Sequence, residues 1–394
     1  MRWPEEATTM EEVWVAGAAM NKFGKMSDTG REAAAKVSLE AIRAAGLEPK
    51  DIEYTFVSNC FGVAERQAHV GPLINTSLGI PDVPSATIES ACSSSSAALH
   101  EAYVHVAGGF LNAALVVGVE KLSHMETLSA TSYFAMGADY AFEARNGATF
   151  PGLYATLASA HMQKYGTKPE ELGAVAVKNH QNASGNPHAH FQKPITIETY
   201  LNSAPIAWPL KLYDCCPFSD GAAAVVVVNP AKYRRDIPGT SAVIRASARA
   251  GSIAALQDRP DLTALPAART AGEKAFKQAK VTPKDIDFSE VHDCFTIAEV
   301  LAMEDLGFYP KGKAAPAARE GQSAVDGSTP INVSGGLKAK GHPVSATGAA
   351  QVVEVFEQFN GHAGKRQVKD PQWALCHNVG ATGGSCSVHI FEKK

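Results

Sequence analysis

A repeat constrains this chain more than any other feature. Pro49-Lys50-Asp51-Ile52 returns as Pro283-Lys284-Asp285-Ile286, and at the same offset Val57, Cys60 and Phe61 meet Val291, Cys294 and Phe295. Each block follows an Ala-rich stretch of helical pattern, residues 30–45 and 267–279, and each leads into a segment with reactive side chains. Further on, residues 113–120 resemble 373–380 at a longer offset, so extra residues separate the two registers. Long-period self-similarity of this kind marks a unit built twice. Within each copy the pattern is α/β. Short apolar runs predict strands over 13–19, 54–58, 85–89, 113–119 and 222–228, the last being the most apolar of the chain. In residues 30–45 the small and apolar residues share one helical face, and Arg31, Lys36, Glu40 and Arg43 take the other. A second helix is predicted over 93–107, stopped by Gly108-Gly109. Such alternation packs helices on sheet faces.

Two regions break the repeat. Residues 121–216 hold Met, Tyr, His, Asn and Pro in irregular order, including Asn186-Pro187-His188-Ala189-His190. They read as an excursion inserted into the first half, and insertions this long commonly form lids or binding elements. Residues 229–239, with Pro230, Pro238 and a basic cluster, read as a linker. The expected division is therefore 1–120 plus 217–235 as an N-terminal half, 121–216 as an inserted loop domain, and 240–394 as a C-terminal half.

Composition excludes several classes. With 394 residues, 45% apolar and 19% charged, the chain can bury a large core and is not disordered. Its 36 basic and 40 acidic residues give a net charge of −4, which speaks against nucleic acid as a partner. The cysteines number seven and form no CxxC pair, and Cys215-Cys216 are adjacent, so a reduced, cytoplasmic protein is expected. The first twelve residues are acidic with no apolar core, so no secretory signal is read there. The apolar run 222–228 is far too short to span a bilayer, and no membrane association is expected.

Four segments carry chemistry. Cys92 lies in Glu89-Ser90-Ala91-Cys92-Ser93-Ser94-Ser95-Ser96, where a strand gives way to a helix. There the unpaired N–H groups and the positive helix end are expected to lower the thiol's pKa. His292-Asp293-Cys294-Phe295 puts an imidazole and a second thiol at a strand's carboxyl end, where α/β sheets carry ligands. A purely structural alternative has His292 capping the next helix. Gly335-Gly336-Leu337-Lys338-Ala339-Lys340-Gly341-His342-Pro343 holds His342 on a glycine-walled loop, from which it can reach a thiol as a base. His377-Asn378-Val379-Gly380-Ala381-Thr382-Gly383-Gly384 can aim bare N–H groups at an oxyanion. It matches neither GxGxxG nor a P-loop, which disfavours dinucleotides and nucleoside triphosphates. His100 and His105 do not share a helical face and miss HExxH spacing, so no metal site is expected. His188 and His190 read as solvated loop residues.

Taken together and in this order, the four segments resemble the thiolase superfamily across essentially the whole chain, and most nearly the sterol-carrier-protein-2-type thiolases and their bacterial and archaeal relatives. HDCF, GGLKAKGHP, HNxGxxGG and the strand DGAAAVVV carry the resemblance. It implies a five-layered αβαβα fold made of two duplicated halves with an inserted loop domain. It also implies a homodimer with each active site near the dimer contact. By the same resemblance Cys92 is the acylated nucleophile, His342 its base, and Cys294 the second acid/base. That last role falls to Cys294 because the usual CxG cysteine is replaced by Asn378. His292 helps bind the thioester oxygen, and the N–H groups of Gly380 and Cys92 form an oxyanion hole. Acyl-CoA and CoA are the implied substrates, with no cofactor and no metal. A small zinc-ribbon/OB-fold partner is known among such relatives. The sequence assigns no individual CoA-contacting residue. Four serines follow Cys92 where the family usually has glycine, so Ser94–Ser96 are expected to alter the floor of the site. Two alternatives stand beside the thiolase: a ketosynthase-like condensing enzyme with a Cys92–His292–His342 site, and a scaffold or lipid-binding subunit. The bulky side chains of the insertion, among them Phe134, Phe150 and Tyr154, point to an acyl group larger than acetoacetyl.

Overall fold

The computed structural model describes residues 10–233, 238–239 and 242–394. Most of the acidic N-terminal stretch and part of the 229–239 linker lie outside the described residues. In chain order the first half contributes β1 (Trp14–Met20), α1 (Gly30–Ala44), β2 (Tyr54–Ser58), β3 (Ser85–Thr87), α2 (Ser94–Ala107) and β4 (Ala113–Glu120). The insertion follows, with α3 (Thr127–Ala135), α4 (Phe150–Tyr165) and α5 (Pro169–Ala183), and the chain returns as β5 (Gly221–Val228). The second half contributes β6 (Ala242–Gly251), α6 (Pro266–Ala279), β7 (Phe288–Glu290), α7 (Thr296–Asp305), α8 (Thr347–Phe359), β8 (Trp373–Gly380) and β9 (Ser385–Lys393). Residues 121–216, which look irregular in sequence, thus hold these three helices and a fourth short one, Ile197–Leu201. Their apolar residues are spread too evenly to show a clear face.

The repeat is structural. Pro49–Asp51 and Pro283–Asp285 each form one 3-10 turn after their helix. β3, β2, β4, β5 and β1 lie side by side in that order. In the second half the order is Ile331 (a single bridge), β7, β8, β9 and β6. The first two contacts in each half are parallel and the last two antiparallel. Even the register repeats: Tyr54 faces Ala114 as Phe288 faces Ala374, and Phe56 faces Val116 as Glu290 faces Cys376. A short pairing of β1 with β6, Trp14 to Val243 and Val15 to Ala242, joins the two half-sheets edge to edge.

Strand alternation explains the layers. On β4, Ala113, Leu115, Val117 and Val119 pack in a core with α1, while Ala114 and Val116 face the opposite core with α2 and α8. On β8, Ala374 and Cys376 share that central core, and Leu375 and Val379 face an outer one with α6 and α7. Successive strand residues point to opposite faces, so a strand covered on both sides must be apolar throughout. That is why AALVVGV and GAAAVVVV read as unbroken apolar runs. The result is helix, sheet, helix, sheet, helix, with α2 and α8 in the middle layer. Both of these central helices begin at the carboxyl ends of the parallel strands, where the four reactive segments gather.

Candidate active site

Cys92 is the middle residue of a 3-10 turn, Ala91–Ser93, that runs into α2. Ala91 holds φ +48, a left-handed strain that turns the chain sharply between β3 and the helix. Burial pushes the Cys92 thiol up to about 12; the Ala381 and Cys92 N–H groups oppose that shift, and the Glu120 carboxylate adds to it. The lowered pKa read from the helix end is therefore corrected. Two backbone donors do not offset the loss of water around a buried sulfur.

His342 lies beside this thiol and can supply what it lacks. The loop that carries it makes one π turn, Gly336–Lys340, flanked by Gly335 at φ +101 and Gly341 at φ +114. A side chain at Gly336 would strike the Asp293 carboxylate, 2.3 Å from a built Cβ. Glycine is required at that point because Asp293 accepts the N–H groups of Leu337 (2.6 Å) and Lys338 (3.2 Å), sewing the HDCF segment to the His342 loop. The Thr347 hydroxyl donates to the Pro343 carbonyl, so it must accept from His342 Nδ1 at 2.6 Å. This fixes the tautomer: the proton sits on Nδ1, and Nε2, which has no partner, carries the lone pair. Burial lowers the His342 pKa to about 3, so the ring is neutral.

His292 is fully buried with neither ring nitrogen bonded, and its ring stands 5.2 Å from that of His342 at 83°. Burial, followed by the nearby rings of His342 and His377, holds its pKa well below the usual range. It does not cap α7, whose first residue Thr296 instead gives its hydroxyl to Asp214. The Cys92 sulfur and a nitrogen of each imidazole all lie within 4.8 Å of one another. Cys294 lines the same cavity. Burial pushes its thiol well up, the thiols of Cys216 and Cys92 add to that, and the Tyr154 hydroxyl opposes it.

The cavity that these groups face has a volume of about 350 Å³, within the size range of small-molecule sites. Phe134, Phe150, Phe218 and Phe295 form its apolar walls, and Cys215, Cys216 and Ala381 complete it near the thiols. Tyr154 stacks on Phe295 at 4.5 Å and donates to the Ala381 carbonyl at 2.9 Å. The insertion therefore contributes to the site at both ends, through α3 and α4 and through Cys215-Cys216, whose Cys216 N–H donates to the Cys294 carbonyl at 3.0 Å.

Three sequence-based placements change. Ser94–Ser96 do not form the floor. Ser94 bonds the Ala91 carbonyl within the nucleophile turn, while Ser95 accepts the Ala349 N–H and Ser96 packs on Gly348, so these last two join α2 to α8. Gly380 sits behind the nucleophile turn, where a Cβ would come within 2.6 Å of the Ser90 carbonyl; the N–H facing the Cys92 sulfur is that of Ala381. His190 is not a free loop residue. Its ring bonds Ser219, its N–H donates to the Lys340 carbonyl, and Ser219 accepts the His342 N–H, so the segment braces the base loop. Sequence reading missed Cys216 and Ala381 as site residues; adjacency to Cys215 and to the HNVG turn was the only signal.

Comparison with known proteins agrees with this architecture. Residues 13–231 match the model "Thiolase, N-terminal domain", and residues 248–393 match "Thiolase C-terminal domain-like". The chain belongs to the thiolase family. It is 44% identical to the acetyl-CoA acetyltransferase of Methanothermobacter thermautotrophicus, over 98% of this chain and 100% of that one. It is 31% identical to human sterol carrier protein 2, over 99% of this chain and 73% of the relative. Among solved structures the "Ltp2-ChsH2(DUF35) aldolase" superposes with a TM-score of 0.84 at 26% identity, covering 98% of this chain and 99% of that one.

Proposed function

We propose that the protein is an acyl-CoA C-acyltransferase that cleaves or forms 3-oxoacyl-CoA through an acyl group on Cys92. One observation carries this: a buried thiol, a neutral imidazole with a bare Nε2 and a second imidazole converge at one end of an apolar cavity that a second thiol also lines. In cleavage, His342 Nε2 takes the Cys92 proton as the sulfur attacks the 3-oxo carbon. The oxyanion meets the N–H groups of Cys92 and Ala381, while His292 holds the thioester oxygen of the leaving half. The Cα–Cβ bond then breaks, and Cys294 gives its proton to the acetyl-CoA carbanion. Cys294, now a thiolate, removes the proton of an incoming CoA thiol, which attacks the acyl-cysteine, and the released Cys92 sulfur takes its proton back from His342. Synthesis is the reverse. Atoms and protons balance without a metal or redox group, and the CoA thioester is the substrate.

The aromatic walls favour an acyl group larger than acetyl, since they allow more apolar area to leave water at ~25 cal/mol per Å². A thiolysis assay with free CoA tests both points, comparing acetoacetyl-CoA with a 3-oxoacyl-CoA carrying a bulky or aromatic acyl group. Cleavage of both with a higher kcat/KM for the bulky one is expected. A clear preference for acetoacetyl-CoA would make the aromatic residues packing alone, and cleavage of neither would refute the reaction. The tight Cys92–His292–His342 group also suits a condensing enzyme, and turnover only with acyl groups on a carrier protein would favour that alternative.

The proposed division is the one drawn from the sequence, with residues 121–216 as a separate inserted element between the halves. The proposed assembly is a homodimer in the cytoplasm; for the dimer, the support is edge strand β3, which has no neighbour on its outer side among the described residues. No described helix is long and apolar enough to cross a membrane. The insertion leaves Leu128, Tyr140, Phe142 and Trp208 exposed, and aromatic side chains are enriched where proteins meet, which supports a small zinc-ribbon/OB-fold partner. Light scattering of the chain alone and with such a partner tests both assemblies: a monomer contradicts the first, and unchanged mass on mixing the second.

A further inference from the structure

The duplicated halves carry the site twice. The offset that pairs Val57 with Val291 also pairs Cys60 with Cys294, and the one that pairs β4 with β8 pairs Glu120 with Gly380. The nucleophile turn Ala91–Ser93 before α2 has its counterpart in the 3-10 turn Val344–Ala346 before α8. Cys92 and Ser345 are the middle residues of these two turns. So the constellation of Cys92 from the first half with Cys294 and Gly380 from the second has a twin in Ser345 from the second half with Cys60 and Glu120 from the first.

Where Gly380 packs closely against the Ser90 carbonyl, the equivalent position holds the Glu120 carboxylate, fully buried and accepting from four donors. These are Ser345 Oγ at 2.7 Å, the N–H groups of Phe61 (2.9 Å) and Cys60 (3.3 Å), and Asn59 Nδ2 at 3.2 Å. The Cys60 N–H also bonds Ser345 Oγ at 2.8 Å. On its other side, the Cys60 sulfur reaches the Ala91 carbonyl at 3.3 Å and Ser94 Oγ at 3.0 Å. Ala91 immediately precedes Cys92, and Ser345 follows His342 by three residues. One buried knot thus grips the nucleophile turn with one hand and the base loop with the other.

We infer that this twin is a clamp, and that Glu120 is a positioning residue that sets the distance between Cys92 and His342. It acts through Ser345 and Cys60 and does not itself touch substrate. A buried carboxylate with four good donors is stiff, because each lost bond would leave a group unpaired in the interior. Two loops from different halves of the chain need such a tie if a thiol and an imidazole are to meet in line.

This inference rests on Cys92 and His342 being the reacting pair, so acylation of wild-type Cys92 by an acyl-CoA is scored first. If the wild type forms no adduct there, both that assignment and the clamp fall. Given the adduct, Glu120→Gln is compared with wild type, with the melting temperature as a check on folding. A displacement of about 1 Å at a reacting pair costs ~10²-fold. We expect kcat lowered by that order with KM within about threefold, since the cavity walls that hold the substrate are untouched. Burial pushes the Glu120 carboxyl up to about 7, so we also expect faster alkylation of Cys92 by iodoacetamide at pH 8–9, where the substitution removes a nearby negative charge. If Glu120→Gln does not fold, Ser345→Ala decides. It cuts only the tie to the base loop, and a lower kcat at constant KM supports the clamp. A folded Glu120→Gln, or failing that a folded Ser345→Ala, with wild-type kcat would overturn it, as would a loss confined to KM.

Discussion

The two halves end their parallel strands in different ways. β8 ends in Gly380, packed against Ser90, and runs into a turn whose Ala381 lines an open cavity, whereas β4 ends in Glu120, whose carboxylate is fully buried among four donors. The strand registers are the same, and so are the turns that lead into α2 and α8. The difference shows that the fold alone does not make the site. A glycine in place of a large side chain, a cysteine in place of a serine, and an insertion to wall one side convert a packed corner into a reactive one.

Exchanging the nucleophile breaks the comparison most strongly. Cys92→Ala should lower turnover by ~10⁴-fold or more, as loss of a covalent nucleophile does. Cys60→Ala, the equivalent change to Cys294's twin in the closed corner, loses only the sulfur's grip on the nucleophile turn and should cost at most the ~10²-fold of a displaced reacting pair. Steady-state thiolysis by both variants checks this, and a loss as deep in Cys60→Ala would mean that the corners are not functionally distinct. The next effect in size is that of Cys294→Ala. General acid–base groups contribute ~10²–10⁴-fold, so turnover should fall by that factor while slow acylation of Cys92 survives. Near-normal turnover would remove Cys294 from the mechanism and favour the Cys–His–His condensing alternative.

A smaller effect sharpens the electrostatic side. With the thiol pushed up to about 12 and His342 held down to about 3, the resting pair is neutral and not a thiolate–imidazolium ion pair. The sign follows directly. Below its pKa the thiolate fraction of Cys92 rises about tenfold per pH unit, so alkylation by iodoacetamide should climb steadily from pH 6 to pH 9. His342 stays neutral over that range and should contribute no step. A plateau between pH 5 and 8, the mark of a preformed ion pair, would contradict this electrostatic picture.

Much of the architecture is legible in the sequence because the duplication is written in residues that make turns. Pro-Lys-Asp-Ile forms the same 3-10 turn twice, and unbroken apolar runs report strands covered on both faces. The reactive residues are legible for a related reason: glycines flank His342 because its loop needs left-handed backbone and room for Asp293. What stayed hidden depends on direction. Nothing in Ser93-Ser94-Ser95-Ser96 says that Ser95 and Ser96 turn toward α8 while Ser93 and Ser94 bond around the nucleophile turn. The helices of the insertion were obscured because α4 buries residues such as Tyr154 and Leu157 against the second half, so its apolar pattern answers to a distant surface. The thiol's raised pKa was missed because burial is a property of the folded whole, while the helix end is visible locally.

Intact-protein and peptide mass spectrometry after a brief incubation with an acyl-CoA, quenched in acid, tests the central claim most directly. A single acyl adduct on the peptide carrying Cys92, discharged when free CoA is added before the quench, is the predicted result. An adduct chiefly on Cys294, Cys216 or Cys386, or one on Cys92 that CoA does not discharge, would contradict it.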